Sequence, residues 1–282
     1  MIVDSRPGWN LGARRPENKM NRRFKIWHVI FAFAAVGIFS PVPSTSAQQA
    51  PAAHGAHWAY SGADGPSHWG DLESDYTTCK TGERQSPIDI KGAKKDSTLA
   101  PIQFNYKPSP LKIINNGHTI QINYAPGSNI TVNGKSYALV QFHFHKPSEE
   151  EIAGKKSNAV IHLVHKDPDG SLAVVAVLLK DGSANPAIRT LWANMPDAVN
   201  KEIEVANVKF NAADLLPANR NYYTFEGSLT TPPCSEGVVW FVLKATREVS
   251  SEQVSAFGKL YPLNARPIQL SNGREIRESD FK

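Results

Sequence analysis

The sequence predicts a mainly β protein of the α+β class, a single domain with one large, mostly antiparallel sheet and a few short peripheral helices. Two features of the chain lead to this class. Short apolar runs rich in β-branched and aromatic residues recur from residue 88 onward, and Pro, Gly and Asn separate them. Only two segments show helical spacing, and the strands do not alternate with helices as they do in a doubly wound fold.

The predicted strands follow one another closely along the chain. The segment 85–90 leads into a first strand. Later strands are expected at residues 102–106, 111–115, 119–124, 129–132, 139–145, 159–165 and 172–179. Asn133 and Gly134 predict a two-residue hairpin turn, because both positions of a type I′ turn need a positive φ.

Two segments are predicted to be helical. Residues 186–195 repeat apolar side chains at helical spacing, and Pro186 suits a first helical turn. The second helix begins at Ser250 or Ser251, in a capping-like order, and runs to residue 261. A third stretch, residues 212–216, is too short to assign.

Charge is concentrated at the amino-terminal end of the chain. The 282 residues include 31 Lys/Arg and 26 Asp/Glu, which gives a formal charge of +5. Residues 1–47 hold seven of the basic and two of the acidic residues, so residues 48–282 carry 24 of each and are formally neutral. No basic surface for nucleic acid is therefore expected.

The basic segment resembles an export signal. Arg22, Arg23 and Lys25 precede an apolar run over residues 26–39, which is too short to span a bilayer comfortably. Small residues lead up to Ala47, so we expect cleavage after Ala47. The alternative is an uncleaved membrane anchor.

This interpretation divides the chain into three parts. Residues 1–47 form a signal peptide, whose true start could be Met20, and residues 48–57 form a flexible lead-in. Residues 58–282 form the folded domain. We expect a periplasmic or secreted protein without a stable membrane anchor after cleavage.

Two cysteines, Cys79 and Cys234, lie within this domain. An even number of cysteines in an exported protein predicts a disulfide bond. The alternative is a pair of free buried thiols.

Four of the nine histidines fall between residues 143 and 165. Because side chains alternate along a strand, His143 and His145 share one face, about 6–7 Å apart. One more histidine from a neighbouring strand would give three metal ligands and leave the open position of a catalytic zinc site. His162 and His165 are both candidates, and periodicity does not choose between them. The alternative is an ordinary pair of half-buried histidines.

Several motifs together resemble the α-class carbonic anhydrases of the exported bacterial type. The main ones are Gln141-Phe142-His143-Phe144-His145, Pro147-Ser148-Glu149, His162-Leu163-Val164-His165 and Ser228-Leu229-Thr230-Thr231-Pro232-Pro233-Cys234. Further matches are Gln85-Ser86-Pro87-Ile88-Asp89, Asn115-Asn116-Gly117-His118 and Asn264-Ala265-Arg266-Pro267. The resemblance extends from Trp58 to the carboxyl end of the chain.

The resemblance implies a zinc enzyme with a sheet of about ten strands and the ion at the base of a conical cleft. Its motif assigns the zinc ligands to His143, His145 and His162, and leaves His165 as a buried structural residue. It also implies that Cys79 and Cys234 are paired. Gln141 and the backbone carbonyl of Asn264 are expected to accept hydrogen bonds from the ligands.

The implied reaction is reversible hydration of carbon dioxide to bicarbonate and a proton by a zinc-bound hydroxide. Thr230 would orient this hydroxide, and Glu149 would orient the threonine, because a carboxylate only accepts. His118 would carry protons to solvent. The matching water-network residues are Tyr60, Asn116 and Gln121, and the matching pocket residues are Val164, Val174, Leu229, Thr231 and Trp240.

One position departs from the family pattern. Relatives supply a glutamate two residues before the third ligand, whereas this chain has Val160 there. We therefore expect His162 to lack its carboxylate partner and, unless another acceptor takes that place, zinc to be held roughly tenfold more weakly than in relatives. The residue after Glu149 also differs, because animal members carry histidine where this chain has Glu150.

Two other classes of function remain open from the sequence. The first is a non-catalytic relative that binds a partner through the same fold. The second is a cupin-like site in which His143, His145 and Glu149 bind iron or manganese. The sequence allows a homodimer but does not predict one.

Overall fold

Strands dominate residues 57–281, the part of the chain that the computed structural model describes. These residues belong to one unit that spans residues 53–282. The predicted signal peptide and nearly all of the predicted lead-in lie outside the described residues. Among the described residues there are sixteen strands: β1 (Asp89–Ile90), β2 (Lys94–Lys95), β3 (Gln103–Asn105), β4 (Ser109–Asn115), β5 (Ile120–Asn123), β6 (Asn129–Val132), β7 (Lys135–His145), β8 (Glu151–Ile152), β9 (Lys155–Lys156), β10 (Ala159–Lys166), β11 (Leu172–Asp181), β12 (Lys201–Phe210), β13 (Tyr222–Ser228), β14 (Glu236–Leu243), β15 (Arg247–Val249) and β16 (Arg277–Glu278).

Helices are few and short within residues 57–281. They are α1 (Trp69–Leu72), α2 (Thr78–Thr81), α3 (Pro186–Trp192) and α4 (Ser251–Leu260), with 3₁₀ turns at Gly62–Asp64, Ser74–Tyr76 and Ala212–Leu215. None of these helices has the length and hydropathy needed to cross a bilayer. Helix α4 begins as predicted, with a capping box between Ser250 and Gln253. Helix α3 begins at Pro186 but ends three residues earlier than predicted.

Thirteen of the strands form one mixed sheet. Ten of them follow one another in the order β12-β4-β5-β7-β10-β11-β14-β13-β16-β2, and β3, β6 and β15 pair at the sides. Most neighbours are antiparallel, whereas β11–β14, β11–β15 and β16–β2 are parallel. The predicted mainly β class is confirmed, with parallel pairs where long connections return the chain to the sheet. A separate small sheet joins β1, β8 and β9.

The hairpin predicted at Asn133-Gly134 is confirmed. Val132 pairs with Lys135, and the two turn residues have φ values of 49° and 74°. This turn starts β7 in register with β6 and so sets the direction of the strand that carries two of the candidate histidines.

A register shift in β7 sorts its side chains between the two faces of the sheet. Val164 of β10 pairs with Gln141 and His165 with Leu139, so Val140 is the extra residue of a β-bulge. Leu139 and Phe142 are three residues apart, yet both lie in the main hydrophobic cluster. Without the bulge, one of these two side chains would face the other side of the sheet.

The central strands are buried on both faces. On β10, Ile161 and Leu163 belong to the main cluster, whereas Val160 belongs to a second cluster with Val174 and Trp240 on the opposite face. His162 lies between Val160 and Val164 on this second face. A polar site is thus built on a face that is otherwise apolar.

Candidate metal centre

Three histidines meet on adjacent central strands. His143 of β7 pairs directly with His162 of β10, and His145 lies two residues further along β7. One ring nitrogen from each can be chosen so that all three lie within 4.8 Å of one another. His165 does not join them: its side chain contacts the hydroxyl of Tyr106 at 2.7 Å. The structure therefore chooses His162 over His165.

Carbonyl oxygens fix the tautomers of the two histidines on β7. Nδ1 of His143 lies 2.8 Å from Oε1 of Gln141, and Nδ1 of His145 lies 2.7 Å from the backbone oxygen of Asn264. Because carbonyl oxygens only accept, each Nδ1 carries the proton and each Nε2 keeps its lone pair. Both acceptors lie where the family resemblance places them.

The third histidine has a carboxylate partner that the sequence analysis did not assign. Nε2 of His162 lies 2.9 Å from Oε1 of Glu150, so Nδ1 of His162 keeps the lone pair. The expectation that Val160 leaves His162 without a carboxylate was therefore wrong. The acceptor comes from the loop after β7, whereas the strand position two residues before His162 holds the apolar Val160.

The electrostatics of the cluster suit a metal ion. Burial lowers the pKa of His143 to about 3 and that of His145 well below its usual value, so both rings are neutral ligands. Burial also lowers the pKa of His162, but Glu150 and Glu149 outweigh this effect and leave the pKa raised. Nε2 of His145 is buried without a hydrogen-bond partner among residues 57–281. Three converging imidazole lone pairs fit a zinc ion with one open position.

Glu149 lies beside these nitrogens. Its Oε1 accepts a 2.8 Å hydrogen bond from the backbone of Arg266, and its Oε2 lies 3.5 Å from Nε2 of His145. Burial raises the pKa of Glu149 to about 7, while the nearby His162, the backbone amide of Arg266 and the Thr230 hydroxyl oppose the rise. A divalent cation bound to the imidazoles would also oppose this rise in pKa and would favour the ionised carboxylate.

An apolar wall adjoins the cluster. Val164, Val174 and Trp240 are in register across β10, β11 and β14, so they form one row beside the row that holds His143 and His162. The ring of Trp240 lies 4.9 Å from that of His162, centroid to centroid.

Two further candidate pocket residues lie between β13 and β14. The half-buried Leu229 packs against the second hydrophobic cluster. Thr231 is also half-buried, and its backbone oxygen accepts from the amide of Cys234. The predicted disulfide from Cys234 to Cys79 is confirmed, so this segment is covalently attached to α2.

His118 lies in a turn just before β5. Oδ1 of Asn116 accepts hydrogen bonds from the amides of His118 and Thr119, and Nδ2 of Asn116 donates to Gln121 at 3.3 Å. Nδ2 of Asn264 donates to the carbonyl of His118, so the residue that accepts from His145 also holds this turn. The structure thus groups Asn116, Gln121 and His118 at one end of β5.

Tyr60 connects the amino-terminal segment to this region. Its ring packs edge-on against Trp58 and Trp69, with centroids 5.3 and 5.8 Å apart. Burial and the charge of Glu149 raise the pKa of Tyr60 well above its usual value, so the phenol stays protonated.

Three residues of the site were not assigned from the sequence. The sequence does contain a signal for Glu150. This chain has a carboxylate at residue 150, where animal members have histidine, and lacks one at residue 160, where relatives have glutamate. Trp58 is identifiable in the sequence only as the start of the domain, whereas in the structure its ring stacks on His118. Arg266 was seen only as part of a motif, and its contact with Glu149 is made by a backbone amide, which the sequence does not reveal.

Comparisons with known proteins agree with this geometry. A model of the eukaryotic-type carbonic anhydrase family matches residues 64–280. The carbonic anhydrase of Pectobacterium carotovorum is 44% identical over 228 residues, which cover 80% of this chain and 93% of the relative. That of Neisseria gonorrhoeae is 44% identical over 231 residues, with 80% and 90% covered.

Solved structures show the same relationship. A hyperthermostable carbonic anhydrase from a hydrothermal vent chimney superposes with a TM-score of 0.77 at 48% identity, covering 79% of this chain and all of that one. The α-carbonic anhydrase of Thermovibrio ammonificans, solved with sulfanilamide, gives 0.77 at 42% identity, with 80% and 100% covered. The chain therefore belongs to the α-class carbonic anhydrases, which are zinc-dependent lyases.

Proposed function

We propose that this chain catalyses the reversible hydration of carbon dioxide to bicarbonate and a proton at a zinc ion bound by His143, His145 and His162. The observation that carries the proposal is the convergence of three imidazoles, in which the ring nitrogen of each that faces away from the cluster is bonded to an acceptor. When bound, zinc lowers the pKa of a water ligand to about 7 and so supplies a nucleophile at neutral pH.

Thr230 and Glu149 would aim that nucleophile. The Glu149 carboxylate is fixed by the amide of Arg266 and can only accept, so a hydrogen bond between it and Thr230 would be donated by the threonine hydroxyl. The hydroxyl oxygen of Thr230 is then left to accept from the nucleophile. This fixes the orientation of a lone pair toward the substrate.

Carbon dioxide is uncharged, so its subsite needs apolar walls more than charged groups. The row formed by Val164, Val174 and Trp240 supplies such a wall next to His162, and Leu229 packs against the same cluster. Thr231 would line the cleft next to Thr230. Bicarbonate, the product, carries a charge that this wall does not stabilise, which favours its release.

His118 would take the proton that each turnover leaves at the site. Histidine titrates nearer to neutrality than other side chains, and burial lowers the pKa of His118 below its usual value, so its ring is neutral and able to accept a proton at neutral pH. Tyr60, Asn116 and Gln121 would order water molecules between His118 and the metal. Gln121 pairs with His143 between β5 and β7, so its side chain lies on the face of the sheet that carries this ligand, and Asn116 donates to it.

We also propose that the protein is exported, with residues 1–47 removed as a signal peptide. The disulfide between Cys79 and Cys234 supports this location, because such bonds persist in oxidising compartments. Amino-terminal sequencing of the exported protein tests it, and retention of the apolar segment 26–39 would contradict cleavage.

Stopped-flow carbon dioxide hydration, with zinc content measured on the same mature protein, tests the proposed activity. Fast hydration with about one zinc per chain is the expected result. Full zinc occupancy without hydration would overturn the catalytic proposal. Low zinc occupancy with activity restored by added zinc would retain it and point to weak metal binding.

A further inference from the structure

The carboxylate of Glu150 reaches the third imidazole from a loop, although relatives supply this group from the strand. Nε2 of His162 and Oε1 of Glu150 are 2.9 Å apart, and the two side chains are 2% and 0% exposed. At this distance the pair is a hydrogen bond protected from water. It leaves Nδ1 of His162 as the ring nitrogen available to a metal shared with the other two histidines.

The strand itself offers no alternative acceptor. Residue 160 is two positions before His162 on the same face of β10, where a longer polar side chain could reach the ring. In this chain it is valine, fully buried against the second cluster, which includes Ile88 and Val174. The partner of His162 therefore has to come from another element.

The loop holds Glu150 firmly. The hydroxyl of Ser148 donates to the carbonyl of Glu150 at 2.8 Å and accepts from the amide of Ser157 at the same distance. The next residue, Glu151, begins β8 and pairs with Asp89 of β1. Because the backbone is bonded on both sides of Glu150, its side chain is held in place before any metal binds.

The charge of Glu150 has one partner. Among the described residues its carboxylate is hydrogen-bonded to His162 and forms no ion pair with a lysine or arginine, and its Oε2 has no hydrogen-bond partner. A buried carboxylate beside a neutral imidazole is costly unless a cation lies nearby. A divalent ion on Nδ1 of His162 would be such a cation, acting through the ring.

We propose that Glu150 is the positioning residue that sets the tautomer of His162 and strengthens the bond from His162 to the metal. The inference rests on the proposed zinc site and adds to it how this chain compensates for Val160. Glu150 touches neither the substrate nor the metal and acts only through His162. Carboxylate partners of this kind typically change metal affinity by about 10- to 100-fold.

Zinc affinity, measured by competition with a chromophoric chelator, tests the proposal on the purified protein. Glu150→Gln keeps the shape and one acceptor but removes the charge, so zinc should bind about tenfold more weakly. Glu150→Ala removes both, and the loss should approach about 100-fold. Glu151→Gln is the matched control, because it removes the adjacent charge without contacting His162, and its affinity should equal that of wild type.

Two further measurements separate positioning from a merely structural role. The proposal predicts a smaller zinc-induced rise in Tm for Glu150→Gln, and altered visible bands of its cobalt-substituted form relative to wild type and Glu151→Gln. A structural role predicts a lower Tm of the metal-free variant with an unchanged zinc-induced rise and an unchanged cobalt spectrum. Wild-type zinc affinity in Glu150→Gln would overturn the proposal.

Hydration assays on the same wild-type sample keep the two proposals distinct. If the wild-type protein binds zinc but does not hydrate carbon dioxide, the catalytic proposal is wrong. The zinc affinities of the Glu150 variants then still test the proposed role of Glu150. Active wild-type protein with unaltered zinc affinity in Glu150→Gln removes only the role of Glu150.

Discussion

Trp58 stacks face to face on His118, with ring centroids 3.7 Å apart and ring planes 7° from parallel. Trp58 is itself packed edge-on against Trp69, which is fully buried, so the stack is anchored to the body of the domain. The amino-terminal segment thus covers one face of His118, whose side chain remains half-buried.

This stack should shift the titration of His118. Burial, followed by the charge of His57, lowers the pKa of His118 below its usual value. Trp58→Ala removes the covering ring, so the pKa should rise toward about 6.5. NMR titration of the His118 ring measures it. Trp58→Phe keeps an aromatic face and is the control, and an unchanged pKa in Trp58→Ala would show that the stack does not desolvate His118.

His118→Ala should slow hydration in weak buffer, on the order of 10²-fold, because no side chain then carries the proton away. Added imidazole should restore the rate. The rate of wild type in weak buffer should rise as the pH passes upward through the lowered pKa of His118, since only the neutral ring can accept a proton. A normal rate for His118→Ala in weak buffer would refute the shuttle role.

Removal of the disulfide should cost stability. The bond between Cys79 and Cys234 joins residues 155 positions apart, and the chain-entropy model gives roughly 4–5 kcal/mol for such a loop. Guanidinium unfolding of the Cys79→Ser/Cys234→Ser double variant measures the loss. A midpoint equal to that of the wild type would show that the long loop is already restrained by other contacts.

Arg266 should contribute to the free energy of unfolding through its buried guanidinium group. Nη1 donates to Oε1 of Gln85 and the carbonyl of Ser86, at 2.9 and 2.8 Å, and Nη2 donates to the carbonyl of Cys79 at 3.1 Å. Arg266→Met leaves these acceptors unpaired, so the free energy of unfolding should fall by about 3 kcal/mol or more. Chemical denaturation measures it.

The exposed Arg84→Met is the control for Arg266→Met, because its salt bridge to Glu226 lies at the surface. Surface ion pairs of this kind contribute about 1 kcal/mol or less. If both variants lose the same free energy of unfolding, the buried contacts of Arg266 contribute no more to stability than a surface ion pair.

Removal of zinc by a chelator should lower Tm without unfolding the sheet. A ligand that binds only the folded state stabilises it by about 2.7 kcal/mol at 100 times its Kd. Because β7 and β10 are held by neighbours on both sides, far-ultraviolet circular dichroism should be unchanged after chelation at 25 °C. Loss of the β signal on chelation would show that the metal is required for folding.

Much of the fold follows from local pattern. The apolar, β-branched or aromatic runs that form β7 and β10 and the Asn133-Gly134 turn are sequence signals that the structure bears out, because such runs are buried in the sheet. The same reasoning placed His143 and His145 on one face. It did not choose between His162 and His165, because that choice depends on the register in which β10 pairs with β7.

Other features depend on contacts between distant segments. The 2.9 Å contact of Glu150 with His162 joins a loop to a strand. The periodicity of the sequence does not predict a contact of this kind. The stack of Trp58 on His118 joins residues 60 positions apart in a segment without regular pattern. The parallel pairing of β11 with β14 likewise follows a long excursion of the chain.

The two strands that carry the histidines lie fourth and fifth in the ten-strand order, whereas β2 lies at its far end, five strands from β10. At the usual strand spacing this is about 24 Å along the sheet. Both residues of β2, Lys94 and Lys95, are exposed. Attachment of the protein to a solid support through this edge should therefore leave the ligand strands undisturbed, so that an immobilised preparation keeps the properties of the free protein.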